Sequence, residues 1–347
     1  MKIIIVGLTR GDESKGSTTD YLCEKHKADL VVRYTGGHQA AHCVVRELFG
    51  SRVDHIFSQF GSGTLLSVPT YLDRHMIIEP IAMQNEAMAL FKILERDPYS
   101  LLTVHPDCPV TTPYSKIANL SDEQDVINGT CGVGIWKTRQ LDRLGISLKA
   151  RDLSSLDTIV DKTKVIAAHY GLPFNFDICK ALFAASQTIC TAEFPEVNTT
   201  IFEGAQGMML DENWGTVPHV TGSTTLPTYA IERCPNGYEM WGIIRSYATR
   251  HGAGPMLDES IDIPEKHVDP VPGKFRTGYL DITSVLKSIR KIKADHIMIS
   301  HCDRYPGKVA GKYGPYDLKL GGLVKKLTAG CNYTLSFGET ANDKFDF

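Results

Sequence analysis

The sequence predicts an α/β fold around a mostly parallel central β-sheet. The chain opens on Ile3-Ile4-Ile5-Val6, four β-branched residues ending at Gly7, which read as a strand buried on both faces. A helix-like segment at 20–27 and a second apolar run at 28–34 follow. Together they make a β-α-β unit, whose crossover favours parallel pairing. The same pattern, an apolar run entering a glycine-bearing loop, returns at 198–207. With 347 residues and 42% hydrophobic content, the chain can bury a sizeable core as one large α/β domain or two smaller ones.

The other elements follow in order. Residues 51–67 hold Gly61-Ser62-Gly63 and read as turn-rich; 71–96 read as a strand and a helix, with Ala82, Met83, Ala87, Met88, Leu90 and Leu94 as its core stripe. Residues 97–127 are polar and irregular, and 154–192 are helical, with Ala167, Ala168, Leu182, Phe183 and Ala185 packing inward. Between them Lys137, Arg139, Arg143, Lys149 and Arg151 read as a solvated helical face. An apolar stretch at 238–249, a helix over 282–292 and a strand over 296–300 complete the pattern, and 341–347 reads as a loosely held tail.

A formal charge of −3 with basic residues spread along the chain argues against a nucleic-acid or membrane surface. Met1-Lys2 leads straight into the first strand, so no signal peptide is expected, and no apolar run approaches the roughly 18–20 residues of a membrane span. Nine cysteines with no Cys-x-x-Cys pair are expected as reduced, mostly buried thiols in a cytoplasmic protein.

The chemistry concentrates after the first strand, in Gly7-Leu8-Thr9-Arg10-Gly11-Asp12-Glu13-Ser14-Lys15-Gly16-Ser17. Strand, glycine-bearing loop with a lysine, then helix is the layout of an anion cradle, or of an ordinary tight turn. The spacing is not that of a Walker loop, and there is no Gly-x-Gly-x-x-Gly fingerprint. Asp12 and Glu13 weaken an anion site unless a carboxylate there holds magnesium or moves a proton. His38 and His42 follow the second strand; Gly36-Gly37 put His38 in a loop with no Glu after it. That disfavours a zinc pair and favours a ligand-facing position at a strand's carboxyl end. Gln206, able to donate and accept, suits a base edge.

These blocks, taken together and in order, resemble the adenylosuccinate synthetase family: Gly11-Asp12-Glu13 with Lys15-Gly16; Arg33-Tyr34 with Gly36-Gly37-His38 and His42; Gly129-Thr130; Phe202-Glu203-Gly204-Ala205-Gln206-Gly207; Thr249-Arg250 with Gly252-Ala253-Gly254-Pro255; and Arg276-Thr277-Gly278 with Leu280-Asp281. The resemblance implies a single domain over 1–347, a homodimer, and a ligase that phosphorylates a purine 6-oxygen before aspartate's amine displaces the phosphate. It implies Asp12 and His42 as catalytic residues, and Mg2+ on Asp12 and the Ala41 carbonyl. For the nucleoside triphosphate it implies Ser14, Lys15, Gly16, Ser17, Asp303, Ser336 and Gly338. For the purine monophosphate it implies Ser14, Gln39, Thr130, Arg143, Gln206, Leu210, Thr221 and His251, Arg143 reaching a neighbouring subunit's phosphate. Lys274, Arg276 and Thr277 would meet aspartate.

The departures point within the family. Ser14 and Ala41 stand where the family has glycine, Gln39 where it has asparagine, Ser17 and His301 where it has lysine, and the arginine-rich loop is thinned to Lys274-Phe275-Arg276. That pattern is similar to the phage branch that makes 2-aminoadenylosuccinate from dGMP, with ATP or dATP as donor, for diaminopurine DNA. The alternatives are an ordinary enzyme using IMP and GTP, a catalytically inactive nucleotide-binding module, and, more distantly, a generic phosphotransferase.

Overall fold

The computed structural model describes residues 1–127, 130–264 and 275–347. Its strands are β1 (Lys2–Gly7), β2 (Leu30–Arg33), β3 (His42–Leu48), β4 (Ser51–Phe57), β5 (Thr70–Leu72), β6 (Leu102–Val104), β7 (Cys190–Thr191), β8 (Thr200–Glu203), β9 (Glu239–Arg245), β10 (Ala248–His251), β11 (Phe275–Gly278), β12 (His296–Ser300), β13 (Lys308–Val309), β14 (Tyr316–Asp317), β15 (Asn332–Ser336) and β16 (Lys344–Asp346). Ten of them form one sheet in the order β16-β15-β12-β9-β1-β8-β2-β5-β6-β7. Only the β15–β16 edge pair is antiparallel; the other neighbours run parallel.

β1 sits inside this sheet because its side chains are apolar on both faces. Ile4 and Val6 pack on one side with Phe202, Ile244 and Ile297; Ile3 and Ile5 pack on the other with Val31, Ile201, Trp241 and Met298. Alternation along a strand sends neighbours to opposite faces, so an unbroken aliphatic run demands cover on both. A further core lies among the helices Pro80–Leu94, Leu156–His169 and Phe176–Ser186. From β1 the chain works outward to one side as far as β7, and from β9 outward to the other. The order therefore reverses at β1, and such reversals open a crevice at the carboxyl ends of the strands.

The helix Lys15–His26 starts at this crevice and ends on Lys27 in the left-handed conformation, with Lys25 in its last turn where a cation complements the helix dipole.

Met88, 54% exposed, and Ala168 lie outside the core rather than in it, and four segments also differ from expectation. Residues 51–57 form β4, paired antiparallel with β3; Asp54 and His55 interrupt its apolar pattern, because this hairpin lies outside the central sheet. Residues 97–127 supply β6 and the helix Pro113–Ser121, whose Thr112 cap accepts from Ser115 N with proline in the first turn, a start signal present in the sequence. Lys137 and Arg139 are buried rather than solvated: Lys137 bridges Asp122 at 2.6 Å and Asp125 at 3.2 Å, and Arg139 donates to the His75 carbonyl at 2.7 Å. The terminal residues are no loose tail, since β16 closes the sheet edge against β15.

If β1 is the centre of the packing, Ile5→Ala removes fully buried methyl groups and costs about 2–5 kcal/mol. Urea unfolding should show a lower midpoint at unchanged slope; a loss below about 1 kcal/mol would place the centre elsewhere.

Candidate active site

The loop after β1 is shaped by backbone that ordinary residues avoid. Gly11, Asp12 and Ser14 have φ of 95°, 55° and 69°. The loop is pressed against the one after β8: a Cβ on Gly207 would lie 2.4 Å from the Thr9 carbonyl oxygen, and Met209 N donates to that same oxygen at 2.8 Å. Glu13 braces the loop from within, 1% exposed, accepting from Thr9 N, Thr9 Oγ1 and Lys15 Nζ. Burial raises its pKa, with Lys15 and Thr9 acting against the rise.

The adjacent carboxylate has a different role. Asp12 leaves 33% of its side chain open, and its Oδ2 lies 2.8 Å from His251 Nε2. Burial alone would raise the Asp12 pKa; the hydrogen bond from His251 and the charges of His251, Arg245 and Lys15 outweigh it and lower it. Asp12 is therefore an anion at neutral pH, able to accept a proton or hold a cation.

Behind it, His42 opens β3 with its Nδ1 2.6 Å from Glu203 Oε1. Glu203, fully buried at the end of β8, also accepts from Ser62 Oγ and, at 3.1 Å, from Ser62 N. Burial pushes against its charge, yet His42, Arg33 and Ser62 hold its pKa down at about 2. A carboxylate so placed fixes the imidazole orientation and leaves Nε2 as the outward atom; that atom is buried without a partner. Burial lowers the His42 pKa to about 4 despite Glu203, so the imidazole is neutral at pH 7. Gly16 makes room for it, since a Cβ there would lie 2.8 Å from His42 Cβ.

These groups face a cavity of about 900 Å³. Of the expected site residues, Asp12, Ser14, Lys15, Gly16, Ser17, Gln39, Ala41, His42, Thr130, Gln206, Leu210, Thr221, His251, Asp303 and Gly338 all line it. Lys15, Gly16 and Ser17 form the first turn of their helix, where backbone N–H groups lack partners within the helix and suit an anion. Ser14 caps that helix with no side-chain capping bond; its left-handed backbone costs a residue with a Cβ about 1–2 kcal/mol, which glycine would avoid. Gln39 Oε1 and Gln206 Oε1 are buried without partners.

The remaining expected residues stand elsewhere. Arg143 is half-exposed outside the cavity wall, paired with Glu212 and stacked near Trp136, both of which line the cavity. Thr277 does not line the cavity: its hydroxyl donates to the Ile261 carbonyl at 2.8 Å and accepts from Ile263 N at 3.1 Å. Ser336 is buried outside the wall and donates to the Gly338 carbonyl at 3.0 Å. Arg276 is likewise set back, bonded to Glu259 at 2.6 Å and to the carbonyls of Gly252 and Gly254 at 2.7 Å. Lys274 lies outside the described residues.

Sequence reasoning passed over Glu203 and Ser62, although a charge closing a buried strand was a signal. It also passed over Lys344, which donates to Ser17 Oγ at 2.7 Å while Ser17 donates to the Glu339 carbonyl at 3.1 Å. The Ser17 hydroxyl is thus tied to the carboxyl-terminal segment, leaving its backbone N–H as the group offered to an anion.

A profile of the adenylosuccinate synthetase family matches residues 4–313. The chain belongs to the adenylosuccinate synthetase family. It is 27% identical to the adenylosuccinate synthetase of Thermoplasma volcanium over 338 residues, covering 86% of this chain and 75% of that protein. It is 30% identical to that of Picrophilus torridus over 309 residues, covering 80% and 71%. Its fold matches fully ligated adenylosuccinate synthetase from Plasmodium falciparum with a TM-score of 0.80 at 16% identity, over 99% of both chains. It also matches cyanophage S-2L succinoaminodeoxyadenylate synthetase, bound to dGMP and to dATP as an energy donor, with a TM-score of 0.67 at 16% identity, over 99% of this chain and 95% of that one. Membership of the adenylosuccinate synthetase family makes the chain a ligase of purine biosynthesis that joins aspartate to a purine nucleotide. Among the described residues no helix is long and apolar enough to cross a membrane.

Glu203→Gln should lower kcat by about 10–100-fold, the range seen when an orienting partner of a functional histidine is lost; steady-state kinetics showing wild-type kcat would remove Glu203 from the machinery. Stability should fall as pH drops from about 6.5 through about 4. His42, His55, His75 and His296 have folded-state pKa values lowered by burial to about 4, so there the unfolded chain takes up protons that the folded one refuses. Thermal melts at pH 7 and pH 5 check this, and equal melting temperatures would contradict it.

Proposed function

We propose that this chain joins L-aspartate to C6 of dGMP, with ATP or dATP as phosphate donor and Mg2+ as the required ion, giving 2-amino-2′-deoxyadenylosuccinate, nucleoside diphosphate and phosphate. The observation that carries the choice of purine is the pair of buried, unpartnered acceptors Gln39 Oε1 and Gln206 Oε1 in the cavity that Ser14 also lines. Guanine differs from hypoxanthine by a 2-amino donor. A buried acceptor left unpaired costs about 1–3 kcal/mol, so a wall with acceptors to spare favours the base that brings the extra donor.

In this reading Asp12 accepts the N1 proton, and the 6-oxygen attacks the terminal phosphorus as the bridging P–O bond to the diphosphate breaks. Aspartate's amine then adds at C6, the C6–O bond to the phosphate breaks, and the proton lost from the amine leaves with the phosphate. Lys15 and the first-turn N–H groups hold the triphosphate. Once a triphosphate and a 6-oxyanion are seated, their negative charge raises the proton affinity of His42, whose Nε2 then donates to the developing charge. Asp12 and the Ala41 carbonyl are hard oxygen donors on the cavity wall. They are an incomplete set of the kind that suits Mg2+, which keeps waters and shares substrate phosphates; no protein-only metal cluster of three or more His, Cys, Asp or Glu occurs among the described residues. When bound, the ion neutralises triphosphate charge during transfer.

We further infer that residues 1–347 act as one domain and that the enzyme works as a cytoplasmic homodimer. In that assembly Arg143 reaches a second copy's purine monophosphate.

A second reading, IMP with GTP, is favoured by the names of the sequence relatives. Turnover of dGMP, GMP and IMP, each with ATP, dATP and GTP, separates the two. The expected result is dGMP with ATP or dATP; preference for IMP with GTP overturns the proposal. Ser14→Ala keeps the backbone constraint while removing the hydroxyl, and should reduce the dGMP-to-IMP ratio of kcat/KM by about 5- to 150-fold, the equivalent of one lost buried partner. An unchanged ratio would take base selection away from Ser14.

A further inference from the structure

Arg10 has no place in the scheme so far. It follows Thr9, which is clamped to Glu13, and precedes the Gly11 turn, so its backbone is fixed by the braced loop. Its side chain lines the cavity; its Nε is buried without a partner, and among the described residues the guanidinium makes no hydrogen bond or ion pair.

Its surroundings are cationic. Arg250 and Arg276 face each other as a cross-strand pair of β10 and β11, an arrangement that is destabilising for like charges without a counter-ion. Arg250 spends its donors on the carbonyls of Ala253, Pro255 and His219. Arg276 holds one carboxylate, Glu259, and keeps a buried, unpartnered Nε. Arg10 belongs to the same group: burial, together with the charges of Arg10 and Arg276, lowers the Arg250 pKa to about 10. Asp281 and Glu13 also act on Arg10, but Glu13 is already committed to Thr9 and Lys15 and Asp281 to Ser284. Each of these carboxylates is hydrogen-bonded elsewhere, so among the described residues the Arg10 guanidinium keeps its donors free.

Of the three substrates, the triphosphate already has a cradle in the first turn of the helix Lys15–His26. Aspartate carries two carboxylates that must be neutralised close to Asp12, where its amine meets the purine. A guanidinium two residues before Asp12, with free donors in a fork, matches a carboxylate in two-point geometry.

We propose that Arg10 is a specificity residue for the amino-acid substrate, its guanidinium gripping a carboxylate of aspartate beside the Arg250–Arg276 pair. This rests on the reading of the chain as an aspartate ligase, and it moves part of the carboxylate site from the thinned 274–276 segment to the loop that carries the base.

The test compares wild type, Arg10→Gln and Arg10→Lys in steady-state kinetics, with succinate as a competitive dicarboxylate lacking the amine. For Arg10→Gln the KM for aspartate and the Ki for succinate should rise about ten- to hundredfold, the effect of losing a charged hydrogen-bond partner, with smaller changes in either nucleotide KM. Arg10→Lys, which keeps the charge and loses the fork, should fall between. Unchanged aspartate KM and succinate Ki overturn the proposal, as does a rise confined to a nucleotide KM, which would assign the cluster to phosphate. If Arg10→Gln melts well below wild type, Arg10→Lys decides by the same two constants. Failure of the wild type to consume aspartate with any purine monophosphate would instead defeat the underlying functional reading, and the role of Arg10 with it.

Discussion

The site depends on one buried carboxylate. Glu203 ends β8 with no exposed surface and accepts from three donors, His42 Nδ1, Ser62 N and Ser62 Oγ. An ionised carboxylate removed from water is tolerated only when its lone pairs are filled, so the loop at 61–63 and the start of β3 are drawn onto the carboxyl end of the sheet. Glu86 holds the stretch just before Ser62, accepting from Ser58 N, Gln59 N and Phe60 N at 2.8–3.2 Å, while burial pushes its pKa up to about 7. The loop that presents Ser62 is thus held from both ends, and His42 has one orientation.

The electrostatics form a site prepared for anions by neutral histidines. Burial lowers His38 to about 3, His42 to about 4 and His301 to about 2, the last with Arg245 and Arg304 acting the same way. In the free protein these rings are uncharged, whereas His251 and Arg245 keep Asp12 anionic. Incoming phosphates change that balance, so proton uptake by His42 accompanies nucleotide binding rather than preceding it. The unpartnered guanidinium of Arg10 lines the same cavity.

Much of this was legible in the sequence because local pattern and tertiary role agreed. The aliphatic run of β1, the amphipathic helix Ile282–Ile292 and the strand His296–Ser300 stand where periodicity puts them. Asp12 and His42 were readable because each breaks the rule of its surroundings, an acid in an anion loop and a histidine after paired glycines. What was not legible depends on distant partners. Glu203 reads as the end of a strand until Ser62 and His42 are brought beside it from 141 and 161 residues away. The polar 341–347 segment reads as a tail until Lys344 is seen to reach Ser17 across 327 residues. Thr277 and Ser336 sit in motifs that belong to the site, yet their hydroxyls are used on neighbouring backbone.

Nitrogen NMR of the ligand-free protein reads the state of the His42 imidazole directly. The prediction is a neutral ring at pH 7 with its proton on Nδ1, toward Glu203, that titrates only near pH 4. A ring already charged at pH 7, or one carrying its proton on Nε2, would contradict the view that Glu203 orients His42 and that anion binding supplies its charge.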